Sequence, residues 1–448
     1  MIGFPPVQRL LILDVVGLTP ALLHSGAMPR LEAFAKLRGC TEWQPGLPAV
    51  TASVQADILT GMRPTQHGIV GNGWYDQDYG EVRMWPQSAA LLQGKTLHEH
   101  WRKANPGSLT AQLFWWWNLP SRADISVTPR PTYWADGRKG PDIHSNPAAL
   151  RKRLIQRFGA FPLFNFWGPA AGLQSTQWIV DATIDVIQEE RPGLCLSYLP
   201  HLDYDLQRFG PDSPEATQAA AAVDSEVGRL LDFAAAEGIE VVVLSEYGIE
   251  SVSQAAFPNR RLREEGLLKI HSAQNGSLLD PGNSKAFAVC NHQCAHVYLS
   301  PEADQSSVRQ ILEELNGVES VLDKEEQSSI GLNHARSGDF FCIAQKGWWF
   351  AYPYWLDTEP EPDFARTVNI HAKPGYDPCE LFLNPNVPAA KAMIAFKLLA
   401  KKLGFRAPMP YVPLDTSLVR GSHGRSSTAV LLNASAWPIA PSFKGAEN

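Results

Sequence analysis

The sequence lacks a basic surplus, a long hydrophobic run and a dense cysteine framework. It has 39 Lys and Arg against 46 Asp and Glu, a formal net charge of −7 and a pI near 6.0. This balance gives no support for binding a nucleic-acid polymer or an anionic membrane through a basic face. The first apolar run, LLILDVVGL, is short and is interrupted by Asp14, which is typical of a buried strand and not of a secretory or membrane segment.

The six cysteines are scattered along the chain, at positions 40, 195, 290, 294, 342 and 379. With no export signal in view, this usage predicts reduced thiols and a cytoplasmic protein. There is no internal repeat or low-complexity tract, and 44% of the residues are hydrophobic against 19% charged. We therefore expect a globular protein with an ample core.

Short apolar runs alternate with helical stretches in the first half of the chain. The runs RLLILDVVG, LCLSYLP and EVVVLSEYG are interleaved with MPRLEAFAKL, TQWIVDATIDVIQEE and ATQAAAAVDSEVGRLLDFAAAEG. Such alternation predicts an α/β fold with a mostly parallel sheet and helices on both faces. Asp14, Asp203 and Glu246 each fall at the end of an apolar run, where the functional site of such a sheet is expected.

The chain is expected to divide into three parts. Residues 1–258 form the first part of a catalytic core, and 259–345 form a smaller inserted or appended subdomain with strands FAVCN, AHVYL and FFCIA and the helix SSVRQILEELNGV. Residues 346–448 return to the core, carry the motif GSHGR, and end in a partly irregular tail.

The stretch LPAVTASVQADILTGMRPTQHGIVGNGWYD, residues 47–76, raises the question of a reactive hydroxyl. Thr51 lies three residues after Pro48 and precedes a predicted short helix. A hydroxyl there faces unpaired N–H groups, which favour a phosphate or an alkoxide. Taken alone, Thr51 is better explained as a plain N-cap residue.

The motifs that follow Thr51, and their spacing, favour a catalytic role for this residue. PxxT, a TG nine residues later, HGI and GNxxYD together resemble the nucleophile region of the alkaline phosphatase superfamily, in its nucleotide pyrophosphatase/phosphodiesterase branch near phosphonoacetate hydrolase. The resemblance extends back to Asp14 and forward to Asn72, at the position that binds a phosphate oxygen. It implies an alkaline-phosphatase-like fold, two divalent metal ions (zinc first, with Mn or Mg as alternatives) and a covalent intermediate on Thr51.

The same resemblance implies the metal ligands, and the sequence departs from it at three of them. Asp14, Thr51, Asp203 and His423 match as they stand. Gln207 replaces a histidine, while Glu246 and Tyr247 replace an Asp-His pair. An amide is a weaker zinc ligand than an imidazole, and more oxygen ligands tilt a site towards Mn or Mg. Tyr247 either ionises to bind metal or donates a hydrogen bond to the phosphoryl group.

Further histidines are candidates for the missing ligands. His371 in NIHAKPGYDP is equally well a ligand or a loop residue. His292 and His296 share one face if CNHQCAHVYL is a strand. We expect an ordinary strand with satisfied histidines and not a separate metal centre. His201, two residues before Asp203, would point to the opposite face of a continuing strand. The aromatic runs 113–120 and 348–355 are expected in the core.

The expected function is metal-dependent hydrolysis of a phosphodiester, pyrophosphate or related phosphorus ester, through a threonyl-phosphate on Thr51. The partner is then a small phosphorylated substrate, with no nucleic-acid polymer and no membrane. One alternative is a phosphonate hydrolase of the same superfamily. Another is a non-catalytic member that binds a phosphorylated ligand or a partner, which Gln207 and Tyr247 favour and which Thr51 and Asn72 oppose. The oligomeric state is left open.

Overall fold

The computed structural model describes residues 9–135, 139–387, 393–394, 396–397, 399–400 and 409–437. Residues 438–448 of the predicted irregular tail lie outside this set. Within it, we find no helix that is both long and apolar enough to cross a membrane.

An eight-stranded sheet forms the centre of the molecule. Its strands, in chain order, are β1 (Leu10–Val15), β2 (Cys40–Trp43), β3 (Thr110–Leu113), β4 (Ile125–Pro129), β5 (Ile143–Asn146), β6 (Leu194–Leu199), β7 (Glu240–Leu244) and β8 (Ala429–Leu432). Their order across the sheet is β2-β8-β7-β1-β6-β3-β4-β5. The five neighbours from β7 to β4 are parallel, whereas β8 and β5 run antiparallel to their partners. The predicted mostly parallel α/β sheet is confirmed.

Strand β1 divides the hydrophobic core into two layers. Leu10 and Ile12 pack on one side of the sheet, while Leu11 and Leu13 pack on the other. Because successive side chains of a strand point to opposite faces, an all-apolar strand of this kind needs cover on both sides. Helices supply that cover on each face, as the sequence predicted.

The helices of the described residues have the bounds α1 (Pro20–Leu23), α2 (Pro29–Arg38), α3 (Thr51–Thr60), α4 (Pro64–His67), α5 (Leu97–Ala104), α6 (Ala148–Phe158), α7 (Leu173–Glu190), α8 (His201–Phe209), α9 (Pro214–Ala236), α10 (Pro258–Glu264), α11 (Gln305–Glu313) and α12 (Lys324–Ser329). Short 3₁₀ turns cover Ala89–Leu91, Leu163–Asn165, Pro378–Leu381, Thr416–Leu418 and Ala434–Ala436. Side-chain caps begin several helices: the Ser213 hydroxyl accepts from the Ala216 N–H at the start of α9, which satisfies one of the free donors there.

A second, four-stranded antiparallel sheet lies within the predicted subdomain. Its strands are Ala286–Asn291, Cys294–Leu299, Phe340–Ala344 and Val318–Leu322, in that spatial order. We call the first two the subdomain hairpin; residues 292 and 293 form its tip. Two-stranded ribbons complete the structure: Gly73–Asp76 with Glu81–Met84, Thr132–Tyr133 with Lys139–Gly140, Glu250–Ser251 with Gly421–Ser422, Gln254–Ala256 with Trp348–Phe350, and Ile270–Ala273 with Gly276–Leu279.

Two local expectations were wrong. His201 and Asp203 lie on helix α8, not on a continuing strand, because Pro200 follows β6 and stands at the start of the helix. His292 lies in the hairpin turn with a φ of 57°, so it does not share a strand face with His296. The aromatic runs at 113–120 and 348–355 supply buried core residues, Trp115 and Trp349 among them, as expected.

Candidate active site

Thr51 begins helix α3 at the edge of the central sheet. The N-cap residue is Val50, with extended φ and ψ, and all ten residues of the helix are buried. Thr51 is therefore the first helical residue, and its hydroxyl bonds to the Tyr247 hydroxyl at 2.9 Å instead of capping the helix. The N-cap interpretation of Thr51 was wrong. The Thr51 hydroxyl is therefore not needed to cap the helix, and the residue is only 6% exposed.

Asn72 and Tyr247 contact the start of helix α3, Asn72 at the Ala52 N–H and Tyr247 at the Thr51 hydroxyl. The side-chain oxygen Oδ1 of Asn72 accepts a hydrogen bond from the Ala52 N–H at 2.9 Å. The side-chain nitrogen Nδ2 of Asn72 therefore points away from the Ala52 N–H. That nitrogen is buried and has no hydrogen-bond partner. Burial raises the pKa of Tyr247 well above 10, so its phenol is neutral at physiological pH. The site thus holds a spare amide donor and a neutral phenol beside the threonine.

Asp14 on β1 and Glu246 after β7 lie together beneath the same helix. The Gln55 amide nitrogen donates to Asp14 Oδ2 at 3.3 Å and also to Glu246 Oε1. The Trp116 N–H fixes this orientation because it donates to Gln55 Oε1 at 2.5 Å. One oxygen of each carboxyl, Asp14 Oδ1 and Glu246 Oε2, is buried without a partner.

Burial governs the charge state of these carboxyls. It raises the pKa of Asp14 from 3.8 to about 7, and burial together with the neighbouring Asp14 raises the pKa of Glu246 well above 4.5. Two carboxyls in contact do not both ionise easily without a compensating cation. A cation between the two carboxyls would therefore stabilise their ionised forms.

Asp203 on α8 forms a separate group with Gln207. The Gln207 amide nitrogen donates to Asp203 Oδ2 at 2.7 Å, and the Tyr376 hydroxyl donates to Gln207 Oε1 at 2.7 Å. Asp203 Oδ1 is buried without a partner, and burial raises the pKa of Asp203 to about 7. This arrangement satisfies both ends of the Gln207 side chain within the protein.

His423 joins the two groups through a column of stacked rings. Its Nδ1–H donates to the Ala49 carbonyl at 2.8 Å, which leaves Nε2 as the free nitrogen of the ring. The ring lies 3.6 Å from that of Tyr247, at 8°, and 3.6 Å from that of His292. His292 in turn stacks on Tyr376 at 3.6 Å. Burial lowers the pKa of His423 to about 3, so the column is uncharged.

The tip of the subdomain hairpin reaches into this site. The Gln293 N–H donates to the His423 carbonyl at 2.8 Å. A Cβ added at Gly71, next to Asn72, would lie 3.0 Å from Asn291 Nδ2. Both side-chain polar atoms of Asn291 and the Nδ1 of His292 are buried without partners. The hairpin thus brings polar atoms with spare hydrogen-bonding capacity to the same place.

One known protein family matches most of this chain. Residues 10–377 match the type I phosphodiesterase / nucleotide pyrophosphatase family, a range that covers all of the residues above except His423. The chain belongs to this family.

Relatives and solved structures with similar features are distant. An uncharacterized pyrophosphatase/phosphodiesterase from Schizosaccharomyces pombe is 24% identical over 257 residues, 55% of this chain and 46% of its own. The human ectonucleotide pyrophosphatase/phosphodiesterase family member 1 is 24% identical over 273 residues, 58% of this chain and 26% of its own. The chain thus spans less than half the length of these relatives.

Among solved structures, phosphonoacetate hydrolase from Sinorhizobium meliloti, in complex with phosphonoacetate, has a TM-score of 0.59 at 16% identity, over 96% of this chain and 90% of its own. An inactive threonine-to-alanine variant of murine ectonucleotide pyrophosphatase/phosphodiesterase 5, in complex with AMP, has a TM-score of 0.53 at 14% identity, over 90% and 96%. At such low identity these likenesses show the alkaline-phosphatase-like fold alone.

The other histidines of this family member have local roles in the structure. His371 is exposed, and its Nδ1 donates to the Met84 carbonyl at 3.1 Å; its service as a metal ligand stays a prediction. His296 is satisfied by the Val70 carbonyl and the Gly338 N–H. His67 bonds Asp57 at 2.6 Å, and the Ile69 N–H donates to its Nδ1 at 3.0 Å.

Sequence reasoning missed three residues of the site, Gln55, Tyr376 and Asn291, whereas it had named His292 as a candidate. Only Gln55 carried a usable signal, since it lies four residues after Thr51 and therefore on the same helix face. Tyr376 and Asn291 reach the site through tertiary packing of segments that are distant along the chain.

Proposed function

We propose that the protein hydrolyses a phosphodiester, a pyrophosphate or a related phosphorus ester by transferring the phosphoryl group to Thr51 and then to water. The observation that carries the proposal is the Thr51 hydroxyl at the start of a buried helix, beside a spare Asn72 amide donor and a buried carboxyl pair. Family membership supports the reaction class.

Each residue has a role that follows from its position. Thr51 Oγ1 forms the new bond to phosphorus while the leaving-group oxygen departs on the opposite side. Asn72 Nδ2 donates to a phosphoryl oxygen, where negative charge builds up in the transition state. Tyr247 holds the threonine hydroxyl in one orientation, and a substrate must displace or share that 2.9 Å contact.

A divalent cation fits the carboxyl pair. Asp14 and Glu246 each keep one unpartnered buried oxygen and share the amide of Gln55, one turn after Thr51, and hard cations prefer oxygen ligands. When bound, such a cation would lower the pKa of the threonine hydroxyl. The donor set at this position is rich in oxygen, which favours Mn or Mg over Zn. A cation at the Asp203–Gln207 position fits less well, because the Gln207 side chain is already satisfied.

Substitution of the nucleophile is the direct test. We expect Thr51→Ala to lower turnover of an aryl phosphodiester at least about 1,000-fold, while Thr51→Ser keeps a measurable rate because it keeps a hydroxyl. The protein would be chelated, reloaded separately with Mn, Mg or Zn, and assayed on an aryl phosphodiester, an aryl phosphomonoester and phosphonoacetate.

Thr60→Ala is the matched control at the other end of α3. The Thr60 hydroxyl bonds only local backbone, the Ala56 carbonyl and the Met62 N–H, so this change should leave turnover intact. Equal rates for Thr51→Ala and wild type would contradict the proposal. Turnover of phosphonoacetate in preference to the esters would identify a phosphonate hydrolase instead.

A binding protein without turnover is the second candidate. The contact between the Thr51 and Tyr247 hydroxyls, the burial of both residues and the closed Gln207 side chain favour it. AMP binding by the intact protein with no hydrolysis of any ester, at any metal, would support this candidate.

A further inference from the structure

The Asp203 half of the site lacks the features of a cation site. A structural or catalytic zinc takes at least three protein ligands directed at one point. Within the described part of the chain, no three His, Cys, Asp or Glu side chains are grouped in that way, either at Asp203 or at the Asp14–Glu246 pair, so neither position has the ligand set of a zinc site. The neighbour of Asp203 on the helix face is the amide of Gln207.

The Gln207 side chain offers no free ligand atom to a cation. Its only atom able to bind metal, Oε1, accepts from the Tyr376 hydroxyl. Its amide nitrogen donates to Asp203 Oδ2 and so presents partial positive charge to the carboxyl. All three side chains are buried, where such hydrogen bonds are costly to break.

The ring column holds this arrangement in place from the other side. Tyr376, which bonds Gln207, also stacks on His292. His292 is carried by the hairpin tip, where the Phe350 N–H donates to its carbonyl at 2.7 Å. His423 therefore has neighbouring rings on both faces, Tyr247 and His292. The column thus holds Tyr376 in place against Gln207.

The Asp14–Glu246 pair differs from the Asp203–Gln207 pair in the number of carboxyl oxygens that it offers to a cation. Asp14 and Glu246 offer two carboxyls with two unpartnered oxygens, against the single unpartnered oxygen of Asp203, and an oxygen-bound cation such as Mg²⁺ needs only one or two carboxylates from the protein. Gln55 bonds the remaining carboxyl oxygens and is itself fixed by Trp116.

We propose that this protein binds one divalent cation, between Asp14 and Glu246, and that the Tyr376–Gln207–Asp203 hydrogen-bond chain takes the structural place of a second. The inference rests on the proposed function only for the location of the first cation. It makes Tyr376 and Gln207 positioning residues, which fix Asp203 without metal.

The test is the stoichiometry of Mn²⁺ binding to the whole chelated protein, measured by equilibrium dialysis with elemental analysis and by electron paramagnetic resonance. We expect one equivalent for the wild type, with the six-line spectrum of an isolated Mn²⁺. Asp14→Asn should bind none at the same free concentration. The double variant Gln207→His, Tyr376→Phe restores a histidine beside Asp203 and His423 and removes the competing hydroxyl, so it should bind two, with the spectrum of a coupled pair.

Tyr298→Phe is the matched control, since its hydroxyl bonds the Arg336 carbonyl in the subdomain and its loss should leave one equivalent. Circular dichroism would confirm that each variant folds. Two coupled ions in the wild type would overturn the inference, as would no bound ion, or one ion that survives Asp14→Asn and is lost in Asp203→Asn. The proposed function is judged separately, by Thr51-dependent turnover in the same samples: one bound ion without turnover leaves the inference standing and removes the function.

Discussion

At the scale of single residues, burial decides the chemistry of this site more than residue type does. Asp14, Asp203 and Glu246 are ordinary acids by sequence, yet burial raises the pKa of each. A buried carboxyl with an unpartnered oxygen is stable only when it is protonated or when a cation lies beside it.

The raised pKa of Asp203 makes the unfolding free energy of the protein depend on pH. Its pKa is about 7 in the folded protein against 3.8 when exposed, so the stabilisation from the protonated form is complete below pH 4 and is lost as the pH rises through 7. The component corresponds to about 4 kcal/mol of unfolding free energy. Urea titrations of the chelated protein from pH 4 to 8 should show it in wild type, and a flatter profile for Asp203→Asn. The exposed Asp78→Asn is the control, and identical slopes for wild type and Asp203→Asn would contradict the expectation.

At the scale of elements, helix α3 is the part of the fold that assembles the site. The Trp117 indole N–H donates to the Ala52 carbonyl at 3.0 Å, and the Trp116 N–H donates to Gln55. The tryptophan run after β3 thus fixes both the position of the helix and the direction of the Gln55 amide. This is a structural role that its composition alone does not reveal.

The substitution Gln55→Leu should show how much the Gln55 amide stabilises the folded protein. The change leaves Asp14 and Glu246 without their shared donor, and an unsatisfied buried polar group costs about 1–3 kcal/mol. We expect a loss of that size in the unfolding free energy of the chelated protein, measured in urea at pH 7. Gln310→Leu, on the exposed face of α11, is the control and should change it little. Equal stability of Gln55→Leu and wild type would show that the amide does not support the carboxyls.

At the scale of the whole molecule, the four-stranded sheet is not packed as an independent body. Its buried residues, Phe287 and Phe341 among them, belong to the same hydrophobic cluster as Leu10 and Ile12 of β1. The hairpin tip then reaches His423, at the far end of the chain. The segment that sequence marks as a subdomain is thus joined to the central sheet by core and site alike.

A shared core predicts a single unfolding transition. Far-ultraviolet circular dichroism, tryptophan fluorescence and proteolysis within residues 286–344 should report the same urea midpoint. Separate, earlier loss of the four-stranded sheet would show instead that this segment unfolds on its own.

The sequence by itself determined the pattern of strands and helices, the parallel centre of the sheet and the stretch that carries Thr51 and Asn72. Apolar periodicity and local spacing encode these features because each depends on residues close together in the chain. It also located Asp14, Asp203 and Glu246 near the carboxyl edge of the sheet, since parallel strands end at one edge.

Only the tertiary structure decided how these residues are connected. The Thr51–Tyr247 contact, the closure of Gln207 by Tyr376 and the entry of His292 each join segments that lie more than 100 residues apart or belong to different elements. Such contacts depend on the packing of complete elements, and neither periodicity nor spacing specifies them. The N-cap interpretation of Thr51 failed for the same reason: where the hydroxyl points is set by Tyr247, which reaches it from the end of another strand.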